Sequence, residues 1–241
     1  MSLKTNVTVP LGRFAMGSVC RDAGMLPSTD LVEGAKVDEV DGLVERARGL
    51  LDGRHRSVLG ICGPPGVGKS TLAELLLERL GPSCVVLPLD GFHLHDEELA
   101  RQGQLDCKGA PDTFDVDGYV ALLRRVGAAS GRAVYAPAFD RARELSLAGA
   151  IPVLPQHRLV VTEGNYLLLD APGWRDVAGQ LTECWFLESD DDVRRSRLTA
   201  RHEQHGRSKE VATARVLRCD EPNARLVAAS RHRADLVVNL R

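Results

Sequence analysis

The chain has 241 residues, 44% of them hydrophobic and 27% charged, which is enough apolar material for one good core and no reason to divide it in two. Its 31 basic and 33 acidic residues are interspersed and leave a net charge of −2, so composition gives no electrostatic footprint for nucleic acid or a membrane surface, and any anion site has to be local. Cys20, Cys62, Cys84, Cys107, Cys184 and Cys219 form no C-x-x-C pair and no zinc-like spacing; several sit in apolar runs, which reads as reduced thiols in a cytoplasmic protein. The first residues contain no apolar stretch of leader length, and no run approaches the roughly 18 residues that span a bilayer.

In chain order, residues 1–36 mix Gly, Pro, Ser and Asp without periodicity and read as an N-terminal extension, ahead of a folded domain over 37–241. Val40, Leu43, Val44, Ala47, Leu50 and Leu51 then recur at helical spacing. Ser57–Cys62 is apolar and strand-like, and Lys69–Leu80 reads as a helix closed by Gly81. Between them stands Gly63-Pro64-Pro65-Gly66-Val67-Gly68-Lys69-Ser70, followed by Thr71, a complete G-x-x-x-x-G-K-[ST] phosphate loop in its required strand–loop–helix setting. Backbone N–H groups of such a loop wrap phosphates, Lys69 meets their charge and the Ser70 hydroxyl is placed for Mg²⁺, so ATP and Mg²⁺ are the expected cofactors.

Further on, Cys84–Leu89 reads as a short buried strand, followed by a long polar loop and a helix over about Val116–Val126. Arg158–Thr162, Glu183–Leu187 and Asp235–Asn239 are short apolar runs that read as strands. Strands alternating with helices predict an α/β fold, a mostly parallel sheet with helices on both faces. Ligands of such sheets bind beyond the carboxyl ends of the strands. There the sequence offers Asp90, in Asp90-Gly91-Phe92-His93, and Glu163, in Glu163-Gly164-Asn165. A rim carboxylate can accept a hydroxyl proton or help hold a metal, while a turn Asp before Gly is common in its own right. Glu163 joins Ser70 as the candidate metal pair.

Arg194, Arg195, Arg197, Arg201 and Arg207 punctuate a helix and the Gly206 turn after it. Arginines that close over ATP neutralise the charge of the transferring phosphoryl group, whereas a charge run on a helix is usually a solvated face. Arg201 and Arg207, beside the polar stretch 202–209, are the candidates.

The set GPPGVGKST (63–71), LDGFH (89–93), KGAPDTFDV (108–116), PAFDR (137–141) and VVTEGNYLLLD (160–170) resembles the P-loop kinase superfamily of uridine kinase, phosphoribulokinase and type I pantothenate kinase. Within it the set is most similar to the nucleoside/nucleotide kinase-like family, some of whose members carry names of fructose-transport kinases. The resemblance runs in order over about residues 55–240. It implies a P-loop fold with a mobile helical lid at Arg201–Lys209, Asp90 as catalytic base and Glu163 as the second acid. Gly109 stands where uridine kinases keep a ribose-binding Asp; Lys108–Asp115 is nearer the K-G-x-P-E-S-Y-D stretch of pantothenate kinases, but Val134-Tyr135-Ala136-Pro137 replaces their V-Y-S-H turn. The expected partner is therefore a small hydroxylated acceptor, pantothenate-like, sugar or nucleoside, met by some of His93, Lys108, Tyr135, Asp140, Arg141 and Asn165. A regulatory NTPase without an acceptor is the alternative, and a homodimer is left open.

Overall fold

The computed structural model describes residues 37–128 and 131–239, so the N-terminal extension expected over 1–36 lies outside the described residues. Five strands form one parallel sheet: β1 (Ser57–Cys62), β2 (Cys84–Pro88), β5 (Leu159–Gly164), β6 (Glu183–Glu188) and β7 (Leu236–Asn239), in the order β2-β5-β1-β6-β7. The intervening β3 (Val134–Asp140) and β4 (Leu145–Val153) pair antiparallel with each other as a separate hairpin.

Alternation of side chains along each strand divides the core into two layers. Val58 and Cys62 of β1, Val160 of β5 and Phe186 of β6 face one side, where they meet Tyr119, Leu123 and Val126 of helix α4 (Val116–Gly127). Leu59 and Ile61, Leu159 and Val161, Trp185 and Leu187 face the other, against Val44 and Ala47 of α1 (Val37–Gly49) and Leu72, Ala73 and Leu76 of α2 (Lys69–Leu80). Strands covered on both faces read as continuous apolar runs, which is why their positions were legible from sequence. The strand over 158–162 extends two residues further than that reading, because Glu163 pairs in register with Ile61 and Pro88, and Gly164 with Cys62.

The sequence reading missed α3 (Asp96–Arg101), the β3–β4 hairpin and the one-turn α5 (Arg175–Ala178). The polar loop before α4 contains a short helix, α3 (Asp96–Arg101), whose N-terminus is capped by His95 Nδ1 accepting from the Glu97 amide at 3.3 Å. The hairpin escaped notice because Pro137 and Pro152 argue against strand and a bulge between Ala136 and Ala138 breaks the alternation. β3 nevertheless lies directly on the single 3₁₀ turn Leu89–Phe92 that follows β2: a Cβ at Gly91 would come within 2.5 Å of the Pro137 carbonyl oxygen. A glycine there lets two backbones touch.

After a one-turn α5 (Arg175–Ala178) and β6, the chain forms the predicted arginine-bearing helix α6 (Asp191–Gln204). It turns at Gly206, whose φ is +85°, and continues through α7 (Lys209–Arg215), a π-helical stretch Val216–Asp220 and α8 (Glu221–Ala228). Asp190 caps α6 through the amides of Asp192 and Val193, and Ser208 caps α7 through that of Val211. Among the described residues no helix is long and apolar enough to cross a membrane.

Candidate active site

The parallel register puts the carboxyl ends of β2, β5 and β1 side by side, so the turn after β2, the last residues of β5 and the loop after β1 share one rim. That rim opens into a cleft of about 200 Å³. The loop Gly63–Gly68 is held on the sheet by packing at its back. At Gly66 φ is +80°, and a Cβ would meet Leu198 Cγ at 2.7 Å and the Arg194 carbonyl oxygen at 3.0 Å, so α6 supports the loop from behind. Lys69 and Ser70, the first residues of α2, line the cleft, and a helix N-terminus at a glycine-rich loop is an arrangement that binds phosphate.

Lys69 is buried, and its ammonium donates to the carbonyls of Gly63 (2.9 Å) and Pro64 (3.0 Å) and to Asn165 Oδ1 (2.7 Å). All three of its N–H donors are thereby used, which is how a buried cation is tolerated. Burial still lowers its pKa, against the raising charge of Glu163. Ser70 Oγ donates to Glu163 Oε1 at 3.1 Å.

Glu163 and Asp90 face the same space and perturb one another. Burial, followed by the charge of Asp90, raises the pKa of Glu163, while Lys69, Arg141 and the Ser70 hydrogen bond pull the other way. Desolvation also pushes Asp90 up, but Arg141 first and then His93, Arg201 and Lys69 outweigh it, and its pKa ends below the ordinary carboxylate value. Two carboxylates and a hydroxyl in one cleft form a hard, all-oxygen donor set, and a divalent cation would relieve their mutual repulsion, so the residues fit Mg²⁺. No cluster of three or more His, Cys, Asp or Glu forms a metal cage among the described residues.

His93 stands at the next position along the rim. Its Nδ1–H donates to the Asp90 carbonyl at 2.9 Å, since a carbonyl only accepts, and its ring lies 4.1 Å from that of Phe114 and 5.0 Å from that of Phe139. Burial lowers its pKa despite Asp90. The imidazole is then neutral near pH 7 with Nε2 left as an acceptor. Arg141, at the tip of the hairpin, reaches back to Asp90, Nη2 to Oδ2 at 2.7 Å. Lys108 donates to Asp96 Oδ1 (2.7 Å) and the Glu144 carbonyl (2.9 Å) and pairs with the Glu144 carboxylate (3.3 Å).

Of the residues singled out from sequence, Lys69, Ser70, Asp90, His93, Lys108, Arg141, Glu163, Asn165, Arg201 and Arg207 all line this one cleft, together with Pro65 and Gly66 of the loop. Two acceptor candidates stand apart from it. Tyr135 is 58% exposed on β3, opposite Pro152, neither in the core nor at the rim. Asp140 uses its carboxylate to cap the amides of Ala142 and Arg143, both at 3.0 Å, and so shapes the hairpin turn instead of facing ligand. The reason is strand alternation: Tyr135 lies on the outward face of β3, a face invisible until the hairpin was recognised.

The arginines separate likewise. Arg194 is fully buried, bound to Asp191 and Glu221, and reaches the Pro65 carbonyl at 3.4 Å; Arg195 pairs with Asp192 and Glu221. Arg207 Nη1 donates to His202 Nδ1 at 3.1 Å. The Arg201 guanidinium has no hydrogen-bond or ion-pair partner among the described residues, and desolvation followed by the nearby charge of Arg141 lowers its pKa. Sequence reasoning missed Phe114, Phe139 and Glu144 in the lining, and Arg215, Asp220 and Asn223 from the helical segments after Gly206. The last three follow the Gly206 turn by up to five helical turns, and no local pattern marks which face of the lid looks inward.

The AAA domain family profile matches residues 59–218. The "Putative uridine kinase C227.14" of Schizosaccharomyces pombe is 35% identical over 218 residues, 86% of this chain and 93% of that one. A pantothenate kinase of Leifsonia xyli is 37% identical over 123 residues, 48% of this chain but 37% of its own. Among solved structures, the "putative fructose transport system kinase" of Silicibacter sp. TM1040 superposes with a TM-score of 0.76 at 39% identity, over 83% of this chain and 98% of its own.

Proposed function

The chain belongs to the P-loop AAA-domain family, within the kinase superfamily of uridine and pantothenate kinases, and from that premise we propose that it is an ATP-dependent small-molecule kinase that transfers the γ-phosphoryl group to an acceptor hydroxyl. The observation that carries the reading is the convergence of Lys69, Ser70, Asp90, Glu163 and Arg201 on one cleft from four separate stretches of chain.

In this reading the loop amides and Lys69 hold the β- and γ-phosphates, Lys69 exchanging its contacts with the Gly63 and Pro64 carbonyls for phosphate oxygens. Ser70 and Glu163 would hold Mg²⁺, which when bound neutralises phosphate charge and orients the nucleotide. The acceptor enters on the side of His93, Phe114 and Phe139. Its hydroxyl oxygen attacks the γ-phosphorus, the bond to the β,γ-bridging oxygen breaks, ADP leaves, and the hydroxyl proton passes to the Asp90 carboxylate. Arg201, without a partner among the described residues, and Arg207 supply positive charge where negative charge builds on the transferring group. Closure of the lid excludes water, which would otherwise compete as acceptor. A cytoplasmic location accords with the free thiols of Cys62, Cys84, Cys107, Cys184 and Cys219.

A regulatory NTPase without an acceptor would leave Asp90 and the aromatic side of the cleft without a task. ADP release measured with Mg-ATP against sugars, nucleosides, pantothenate and other hydroxylated metabolites tests the proposal. An acceptor that raises ADP release and returns as its phosphate ester is the expected result; tight ATP binding with no acceptor across such a panel favours the regulatory NTPase.

A further inference from the structure

Arg141 occupies an unusual position for a residue beside a catalytic base. Its Nη2 bonds Asp90 Oδ2, yet this is the only hydrogen bond the guanidinium makes among the described residues, leaving four of its five N–H donors for something else. The side chain is 42% exposed and lines the cleft, so those donors are within reach of an incoming molecule.

Its backbone, by contrast, is pinned from several directions. β3 touches the Asp90 turn at Gly91 and Pro137. Ser146 Oγ donates to the His93 carbonyl at 3.2 Å. Asp140 caps the two amides that follow Arg141. At the end of the turn Glu144 adopts φ +55°, a left-handed conformation rarely held by a residue with a side chain, and in it presents both its carbonyl and its carboxylate to Lys108. Lys108 is saturated by those contacts and by Asp96, so the neighbouring cation has no capacity left for a ligand. A guanidinium with a fixed base, spare coplanar donors and an open face is a preorganised receptor for an oxyanion.

We propose that the phosphoryl acceptor carries its own oxyanion, a carboxylate or a phosphate close to the reacting hydroxyl, which docks on Arg141 and draws it away from Asp90 as the hydroxyl arrives. The proposal rests on the kinase reading above and assigns the substrate class within it. Arg141 follows Phe139 on the hairpin, and Phe139 packs on His93 in the cleft lining taken above as the acceptor's side, so its anion is assigned to the acceptor. An acceptor of this kind also enforces order. Until its anion is bound Asp90 stays paired with Arg141, a poor proton acceptor, and ATP is protected from water.

Hydroxyl-free probes test the device without knowledge of the natural acceptor, since water then serves as nucleophile. With the full chain and Mg-ATP, acetate and methyl phosphate should each be tried against acetamide. A saturable rise in ATP hydrolysis of several fold with acetate, methyl phosphate or both, absent with acetamide and abolished in Arg141→Ala, is the expected result, and the more effective anion names the class. Glycerate and glycerol 3-phosphate against glycerol give the companion measurement: the matching anion should be phosphorylated at least ten times more efficiently than glycerol, and Arg141→Ala should erase that ratio. Equal effects of acetamide and the anions, no stimulation by any, an anion response that survives in Arg141→Ala, or a weakened ATP dissociation constant as the sole defect of that variant would overturn the proposal. Failure of the parent chain to bind Mg-ATP would instead strike the kinase reading itself.

Discussion

The two halves of the cleft are built in different ways. On the nucleotide side, a contiguous stretch of sequence from β1 through the phosphate loop into α2 supplies nearly everything, and its donors are largely backbone amides. On the acceptor side, the working contacts join distant residues: Asp90 to Arg141, 51 positions apart, and Lys108 to Glu144, 36 apart. The first half is rigid and general, because a phosphate group is the same in every nucleotide and a loop wedged against a sheet meets it well. The second is assembled from a hairpin tip and the helices after β6, elements that vary without disturbing the parallel sheet, and in the kinase reading proposed above they would set the choice of acceptor.

The largest effect should come from the nucleotide side. Lys69→Ala should abolish turnover and weaken ATP binding, since its charge on the β- and γ-phosphates is lost from a site where it is desolvated. Isothermal titration with an ATP analogue together with ADP release checks it, and a variant that binds and turns over ATP like the parent would remove the basis of the comparison.

Asp90→Asn sits on the boundary between the halves and should divide its effects accordingly. We expect kcat to fall by about 10²–10⁴, the usual share of a general base, with ATP affinity within a few fold of the parent. Should ATP affinity collapse too, Asp90 belongs to the metal and the nucleotide side extends further than drawn.

The lid ranks third. Arg201→Ala should depress kcat by about 10²-fold, and Arg207→Ala by less because its guanidinium is already engaged with His202, with the ATP dissociation constant nearly unchanged in both. Hydrogen exchange over 198–210 should slow when an ATP analogue and acceptor are bound together; equal exchange in both states, with unimpaired Arg variants, would leave this stretch a solvated helix end.

Smallest of all, Tyr135→Ser should change stability by no more than about 0.5 kcal/mol and leave the kinetic constants where they were, because the ring is exposed and points away from the cleft. A clear rise in the acceptor KM would bring the outer face of β3 into the acceptor site.

Legibility followed the same division. The strand, loop and helix at 57–80 were read to the residue because phosphate binding needs a fixed short pattern and buried parallel strands need unbroken apolar runs. Asp90 and Glu163 were legible as carboxylates after strands, though only the register shows that Glu163 lies inside β5 beside Ile61 and Pro88. By itself, then, the sequence determined the parallel α/β frame and the phosphate loop, whose information is local and periodic. Tertiary structure alone decided the rest: that a proline-bearing, bulged segment folds into a hairpin, that Asp140 turns the chain while Arg141 pairs with Asp90, and that Arg194 is buried against Glu221 while Arg201 lines the cleft. These are pairings between residues far apart in the chain, where neighbouring arginines look alike and only packing tells which one is enclosed and which one lines the cleft.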